Sequence, residues 1–168
     1  MKKNIIINNL IMNKKYINIY NTLVSLTRDK KLYIGFESQD TFSDRMVFLL
    51  LHFTFFLKAY NKKCSKKTLQ EVFDYFFKQI EVSIRESGYG DTVINKKMKN
   101  YINIFYSMLK DVDKWEDIQR SEKNIILNNY INITNNEDYI TNYFTNYLNY
   151  LEKNAFNSFL KGVIKPNF

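Results

Sequence analysis

An all-α, single-domain bundle of about six helices is the architecture that this 168-residue sequence predicts. Three observations carry that expectation. One proline and four glycines leave long stretches without a helix breaker. Apolar residues recur at three- and four-residue spacing in several segments, which is the period of one helical face. No pair of alternating strands joined by a turn can be picked out. The length suits one core, and a hydrophobic share of 45% with 17% aromatics supplies the apolar surface that disordered chains lack.

The start, Met1-Lys2-Lys3 followed by Ile5-Ile6-Ile7-Asn8-Asn9-Leu10-Ile11-Met12, imitates a signal peptide. Its apolar run is short, split by asparagines and without a small-residue cleavage site, and it lacks the arginine and serine of a mitochondrial transit peptide. The expectation is a first helix over 5–28 that stays on the protein. A bacterial cytoplasm, or the inner face of its membrane, then ranks ahead of the mitochondrial matrix. Residues 29–42 carry Gly35 and alternate around Leu32, Ile34 and Phe36, which predicts an extended connector, with Ser43 or Asp44 capping the next helix. From Met46 to Leu57 the chain is apolar except for His52 and Thr54. That is short of the ~20 residues that cross a bilayer and suits a central helix surrounded by others.

Leu69, Val72, Phe73, Phe76, Ile80 and Ile84 form the next stripe, and Gly88 supplies a left-handed helix end. Met98, Tyr101, Ile102, Phe105, Leu109 and Val112 rebuild a stripe after the corner. An acidic break from Asp111 to Asp117 holds Trp115, and a shorter helix runs through Tyr130. Asn135 or Asn136 caps a last long helix with Ile140, Phe144, Tyr147, Leu148, Leu151, Ala155, Phe159 and Val163 on one face, so that C-terminal helices occupy 116–164.

The net charge of +8 is uneven, with 19 basic against 9 acidic side chains over 1–110 and 6 against 8 over 111–168. Such a field favours anionic partners, rRNA or anionic headgroups among them, by attraction that salt weakens. Lysine and asparagine are also what an AT-rich coding bias supplies, and the sequence leaves both readings open. Against 21 lysines the four arginines, Arg28, Arg45, Arg85 and Arg120, stand out as candidate clamps, because guanidinium bonds carboxylates in a bidentate way that ammonium cannot copy. Asp44, Asp91 and Glu86 are the candidate partners. A lone cysteine, Cys64, excludes an internal disulfide and a cysteine metal cluster.

His52 is the single histidine, and a buried histidine bonded to a neighbouring carboxylate or backbone carbonyl is the expectation. Arg45 lies about two helical turns earlier on the same face, so the two are candidates to pin the corner Arg85-Glu86-Ser87-Gly88-Tyr89-Gly90-Asp91. Lys96, Lys97 and Lys99 are placed at the start of a helix, where the dipole prefers negative charge, which makes sense if an anion meets them there. Asp40 and Asp44 are four apart and resemble half of a magnesium site of an isoprenoid synthase. The second acidic pair such an enzyme needs has no matching spacing here. No nucleophile motif, phosphate-cradling loop or zinc motif is present.

The ordered motifs Asp44-Arg45, Leu51-His52, Arg85-Glu86 through Gly88-Tyr89-Gly90-Asp91, Lys96-Lys97 and Phe105-Tyr106 resemble the ubiquinol-cytochrome c chaperone family. The resemblance covers about residues 32–110. Ser107 stands where the family continues with glycine, and no resemblance is visible after Trp115. It implies a helical, non-enzymatic factor in assembly of the cytochrome bc1 complex (respiratory complex III), without cofactor, metal or small-molecule substrate. The implied partners are newly made cytochrome b, the ribosome near its exit tunnel and, peripherally, the membrane. On this reading Arg45, His52, Arg85, Gly88, Gly90 and Asp91 build a structural corner, and Lys96, Lys97, Lys99 and Tyr101 make contact. The rivals are a magnesium-dependent isoprenoid-type enzyme using Asp40 and Asp44, and a basic helical RNA-binding protein.

Overall fold

Seven α-helices and one 3-10 turn, and no strand, make up the described residues 15–35, 41–131 and 136–163 of the computed structural model. In chain order they are α1 (Ile17–Leu26), the 3-10 turn (Lys30–Tyr33), α2 (Phe42–Tyr60), α3 (Lys66–Glu86), α4 (Asp91–Asp111), α5 (Arg120–Asn128), α6 (Glu137–Lys153) and α7 (Phe156–Leu160). The all-α expectation holds. Residues 5–14 of the first helix expected over 5–28 lie outside the described residues; the described part is helical over Ile17–Leu26, with Thr27 at the C-cap.

Helix α2 is the centre, packed against α1, α4 and α6. Its sequence explains why: a helix that is apolar on all sides must be covered on all sides, and every residue from Phe48 to Phe56 is buried. It begins two or three residues earlier than expected, because Thr41, not Ser43 or Asp44, is the N-cap. The Thr41 hydroxyl accepts from the Asp44 N–H at 3.2 Å and the Asp44 carboxylate accepts from the Thr41 N–H at 3.1 Å, so Asp44 is the third residue of a capping box.

Aromatic rings do most of the filling. Phe53 stacks on Phe76 with centroids 3.7 Å apart and on Phe105 at 5.3 Å, which ties α2 to α3 and α4. Phe55 lies between Trp115 and Phe144, each at 5.0 Å, and ties α2 to α6 and to the segment before α5. Trp115 is therefore an anchor within the acidic break; its ring is buried and its Nε1–H donates to Thr145 at 3.2 Å.

Two expectations about local structure are corrected. Residues 30–33 are not extended: the Asp29 carboxylate accepts from the Lys31 N–H at 3.0 Å and starts a 3-10 turn that buries Leu32 and Tyr33 while Ile34 stays exposed. Phe36 lies outside the described residues. The last long helix is two helices, since the chain turns extended at Asn154. The Tyr60 hydroxyl sits 3.0 Å from the Leu151 carbonyl and 2.9 Å from the Asn154 carbonyl, so a side chain from α2 satisfies the end of α6. Helix α7 then folds back on α1, where the Asn18 amide donates to the Leu160 carbonyl at 2.7 Å. Ala155 and Val163 are exposed as a result and fall off the expected stripe. Asn136 holds the expected N-cap position of α6, but its side-chain amide donates to the Ile34 carbonyl and does not cap the helix.

Candidate functional site

The corner between α3 and α4 follows from one residue's backbone. Gly88 has φ +84°, a left-handed conformation that costs any side chain with a Cβ, and it lets α3 stop at Glu86. Gly90 is different: at φ −71° it is the N-cap of α4, and a Cβ there meets nothing within 4 Å. Only the first of the two glycines is demanded by geometry. Arg85 closes the turn, its Nη1 donating to Asp91 at 2.6 Å and its Nη2 to Glu81 at 3.1 Å. Those carboxylates hold the guanidinium above its ordinary range, the Asp91 bond first, and Lys78 and Arg85 together pull the Glu81 carboxyl down. With Arg85 53% and Asp91 78% exposed, water screens this clamp.

Arg45 and His52 do not pin that corner together. Arg45 is exposed near the start of α2. His52 is fully buried and turned to α6: its Nδ1 lies 2.6 Å from the Phe48 carbonyl and its Nε2 2.8 Å from the Tyr143 hydroxyl. A carbonyl only accepts, so Nδ1 carries the proton and Nε2 accepts from tyrosine. Burial pushes the imidazole down to about 4, against a smaller opposing effect of the Phe48 bond, and burial raises the Tyr143 phenol. Rings of Tyr143, Phe144 and Tyr147 surround it, with centroids 5.1–5.5 Å away. The result is a neutral histidine whose bonds join two helices.

The expected contact residues do not share one surface. Tyr101 is 8% exposed and belongs to the core, because it falls on the inward stripe of α4 with Phe105 and Met108. Lys96, Lys97 and Lys99 lie beyond the first turn of α4, which begins at Asp91, so they do not meet its free amides; Asp91 occupies the dipole end instead. They form a lateral basic face with Thr92, Val93, Asn100 and Asn103. Within it Lys97 rests 4.9 Å above the Tyr89 ring, while Lys96 and Lys99 reach into solvent.

A feature that the sequence does not reveal is a groove of about 580 Å³ where the end of α2, the first turns of α3 and the second half of α4 converge. Leu57, Leu69, Phe73, Phe105, Tyr106 and Leu109 make its apolar lining, and Tyr106, 56% exposed, stacks on Phe73 at 6.0 Å. Neighbours Phe105 and Tyr106 cannot both face inward from a single helix, which leaves the Tyr106 ring outward on the groove wall. Lys58 fixes one margin through Glu116 at 2.8 Å and the Asp113 carbonyl. Lys62 and Lys66 stand exposed on the margin formed by the α2–α3 loop and the first residue of α3.

The Asp44 carboxylate is engaged by Thr41, Asp40 lies outside the described residues, and no group of three or more His, Cys, Asp or Glu side chains that could hold an ion occurs among the described residues. No helix of the described residues is long and apolar enough to cross a membrane.

These features describe an all-helical bundle with an open aromatic groove and a basic helix face. The chain belongs to the ubiquinol-cytochrome C chaperone family, whose model matches residues 35–131, more than half its length. The match starts just after the 3-10 turn and runs through α5, so it extends past Trp115, where the motifs ceased to be legible. A solved structure with the same fold is the Cbp3 homolog from Brucella abortus, 22% identical, with a TM-score of 0.70 over 98% of this chain and 96% of that one. Comparison with curated proteins gives no match.

Proposed function

We propose that this chain is a non-enzymatic assembly chaperone for respiratory complex III that binds newly made cytochrome b and shields its apolar surface until it is assembled. The observation that carries the reading is the family match over 35–131, which takes in α2, α3, α4 and α5. The physical arrangement supports it. An apolar groove at the surface gives a membrane segment somewhere to rest outside lipid, and aromatic side chains bury large area with few rotors to freeze. The basic face of α4 around Lys96 and Lys99 is the proposed second surface, which attracts the ribosome through rRNA phosphates and lets go as salt rises. The proposed site of action is the cytoplasmic face of a bacterial inner membrane. The Arg85–Asp91 clamp and Gly88 set the angle between α3 and α4 and so keep the groove wall and the basic face in register.

Removing the protein from its native cell and following complex III tests this directly. The expected outcome is loss of assembled complex and rapid turnover of cytochrome b, while synthesis of its message continues. Normal complex III in its absence contradicts the proposal. For the ribosome, co-sedimentation of the purified protein at rising salt is expected to show binding that falls steeply, and that is weakened by Lys96→Glu with Lys99→Glu.

A further inference from the structure

We infer that the groove between α2, α3 and α4 takes an amphipathic polypeptide segment that lays apolar side chains on the aromatic lining and sets carboxylates over Lys62 and Lys66. The inference rests on the chaperone reading and adds to it where a client binds and what chemistry the client segment presents.

The charge distribution around the groove identifies the occupant. The margin at the end of α2 and the start of α3 carries Lys62 and Lys66 within the run Lys62-Lys63-Cys64-Ser65-Lys66-Lys67. Neither Lys62 nor Lys66 has a carboxylate within ion-pair distance among the described residues, whereas Lys58, deeper on the same side, is neutralised by Glu116. Lys66 is also the first residue of α3, where the helix dipole already repels a cation. Its charge gains most from an anion supplied from outside. Beyond α4 the lining ends in Asp113. A sheet of anionic headgroups laid across the groove meets that carboxylate as well as the lysines, and a flat surface does not enter a recess bounded by three helices. A polypeptide segment does both things required, since it can place acidic residues at one edge and apolar residues in the middle. Tyr106 adds a phenol at the exposed wall, an aromatic of the kind that anchors interfaces.

Fluorescence anisotropy on the full-length protein provides the test, with a labelled helical peptide carrying leucines on one face and glutamates on its flank, beside the same peptide with every Glu→Gln. The acidic peptide is expected to bind about tenfold more tightly at low salt, an advantage that fades as salt screens it. Lys62→Glu with Lys66→Glu, both exposed and so not expected to disturb folding, should erase that advantage and leave the glutamine peptide unchanged. Tyr106→Ala should weaken both peptides alike. Equal binding of the two peptides, or an acidic preference that survives the lysine reversals, overturns the assignment. So does binding to phosphatidylglycerol vesicles in place of either peptide, which would make the groove a lipid site. These outcomes separate from failure of the chaperone reading: peptide binding with normal complex III in cells lacking the protein discards the client and keeps the groove, and no peptide binding discards the groove whatever the cells show.

Discussion

Helix α2 meets two surroundings, and the contrast between them separates what is structural from what is functional. Toward α6 its face is closed: His52 has both ring nitrogens bonded, Phe55 is held between Trp115 and Phe144, and Tyr60 caps the end of the neighbouring helix. At its C-terminal end, toward α3 and α4, the apolar character continues through Leu57 but the cover does not, and an open groove results. The same kind of side chain is core in one place and surface in the other. What differs is whether another helix of this chain arrives to cover it. The lesson is that hydrophobicity marks where burial is needed, and topology decides whether this chain or a partner provides it.

Truncating one ring on each side of α2 puts the contrast under the greatest strain. Phe55→Ala, on the closed side, removes a ring held between Trp115 and Phe144 and is expected to cost about 3–5 kcal/mol by thermal or urea unfolding. Tyr106→Ala, on the open side, is expected to change stability by less than about 0.5 kcal/mol while weakening client binding. If the two variants lose comparable stability, the groove is part of the core and not a surface for a partner.

Acid probes the closed side next. Because burial holds His52 at about 4, below its usual value, the unfolded chain binds the extra proton between roughly pH 6.5 and 4. Stability from this residue is therefore complete above about pH 6.5 and is lost as pH falls toward 4, with a limit of roughly 3 kcal/mol. Unfolding free energies measured across that window are expected to fall in the parent and to lose this component in His52→Gln. An identical slope in both would mean the histidine is not held neutral between the helices.

The α3–α4 corner offers a smaller effect with a built-in control. Gly88→Ala is expected to cost about 1–2 kcal/mol because its φ is positive, whereas Gly90→Ala should cost about 0.5 kcal/mol and Gly90→Ser, which adds a capping hydroxyl, should stabilise by roughly 0.3 kcal/mol. Equal losses at both glycines would contradict the geometry that separates them.

The helices were legible in the sequence wherever period and punctuation agreed. The stripe from Leu69 to Ile84, the apolar run of α2 and the stop at Gly88 each answer to local rules. Local rules failed where a distant residue decided the outcome. Nothing near Asn154 marks a break, since the hydroxyl that satisfies the end of α6 comes from Tyr60, ninety-four residues away in sequence from Asn154. The partner of His52 was hidden for the same reason, because Tyr143 lies on another helix. Tyr101 misleads by a different route: an aromatic beside lysines reads as an interface, yet its helical phase points it inward with Phe105. The motif residues Arg85 and Asp91 proved to be partners of each other, a pairing that the short turn between them allows. Sequence also could not reveal the groove, which exists only where three helices converge.

Photo-crosslinking in the native cell tests the central claim most directly, with a photoreactive residue at Tyr106 in the groove wall and, for comparison, at Ile125, which is 63% exposed on α5. The account predicts cytochrome b as the product captured from position 106 and little or none from 125. Capture of cytochrome b equally from both positions, or from neither while complex III still depends on the protein, would contradict the claim that this groove holds the client.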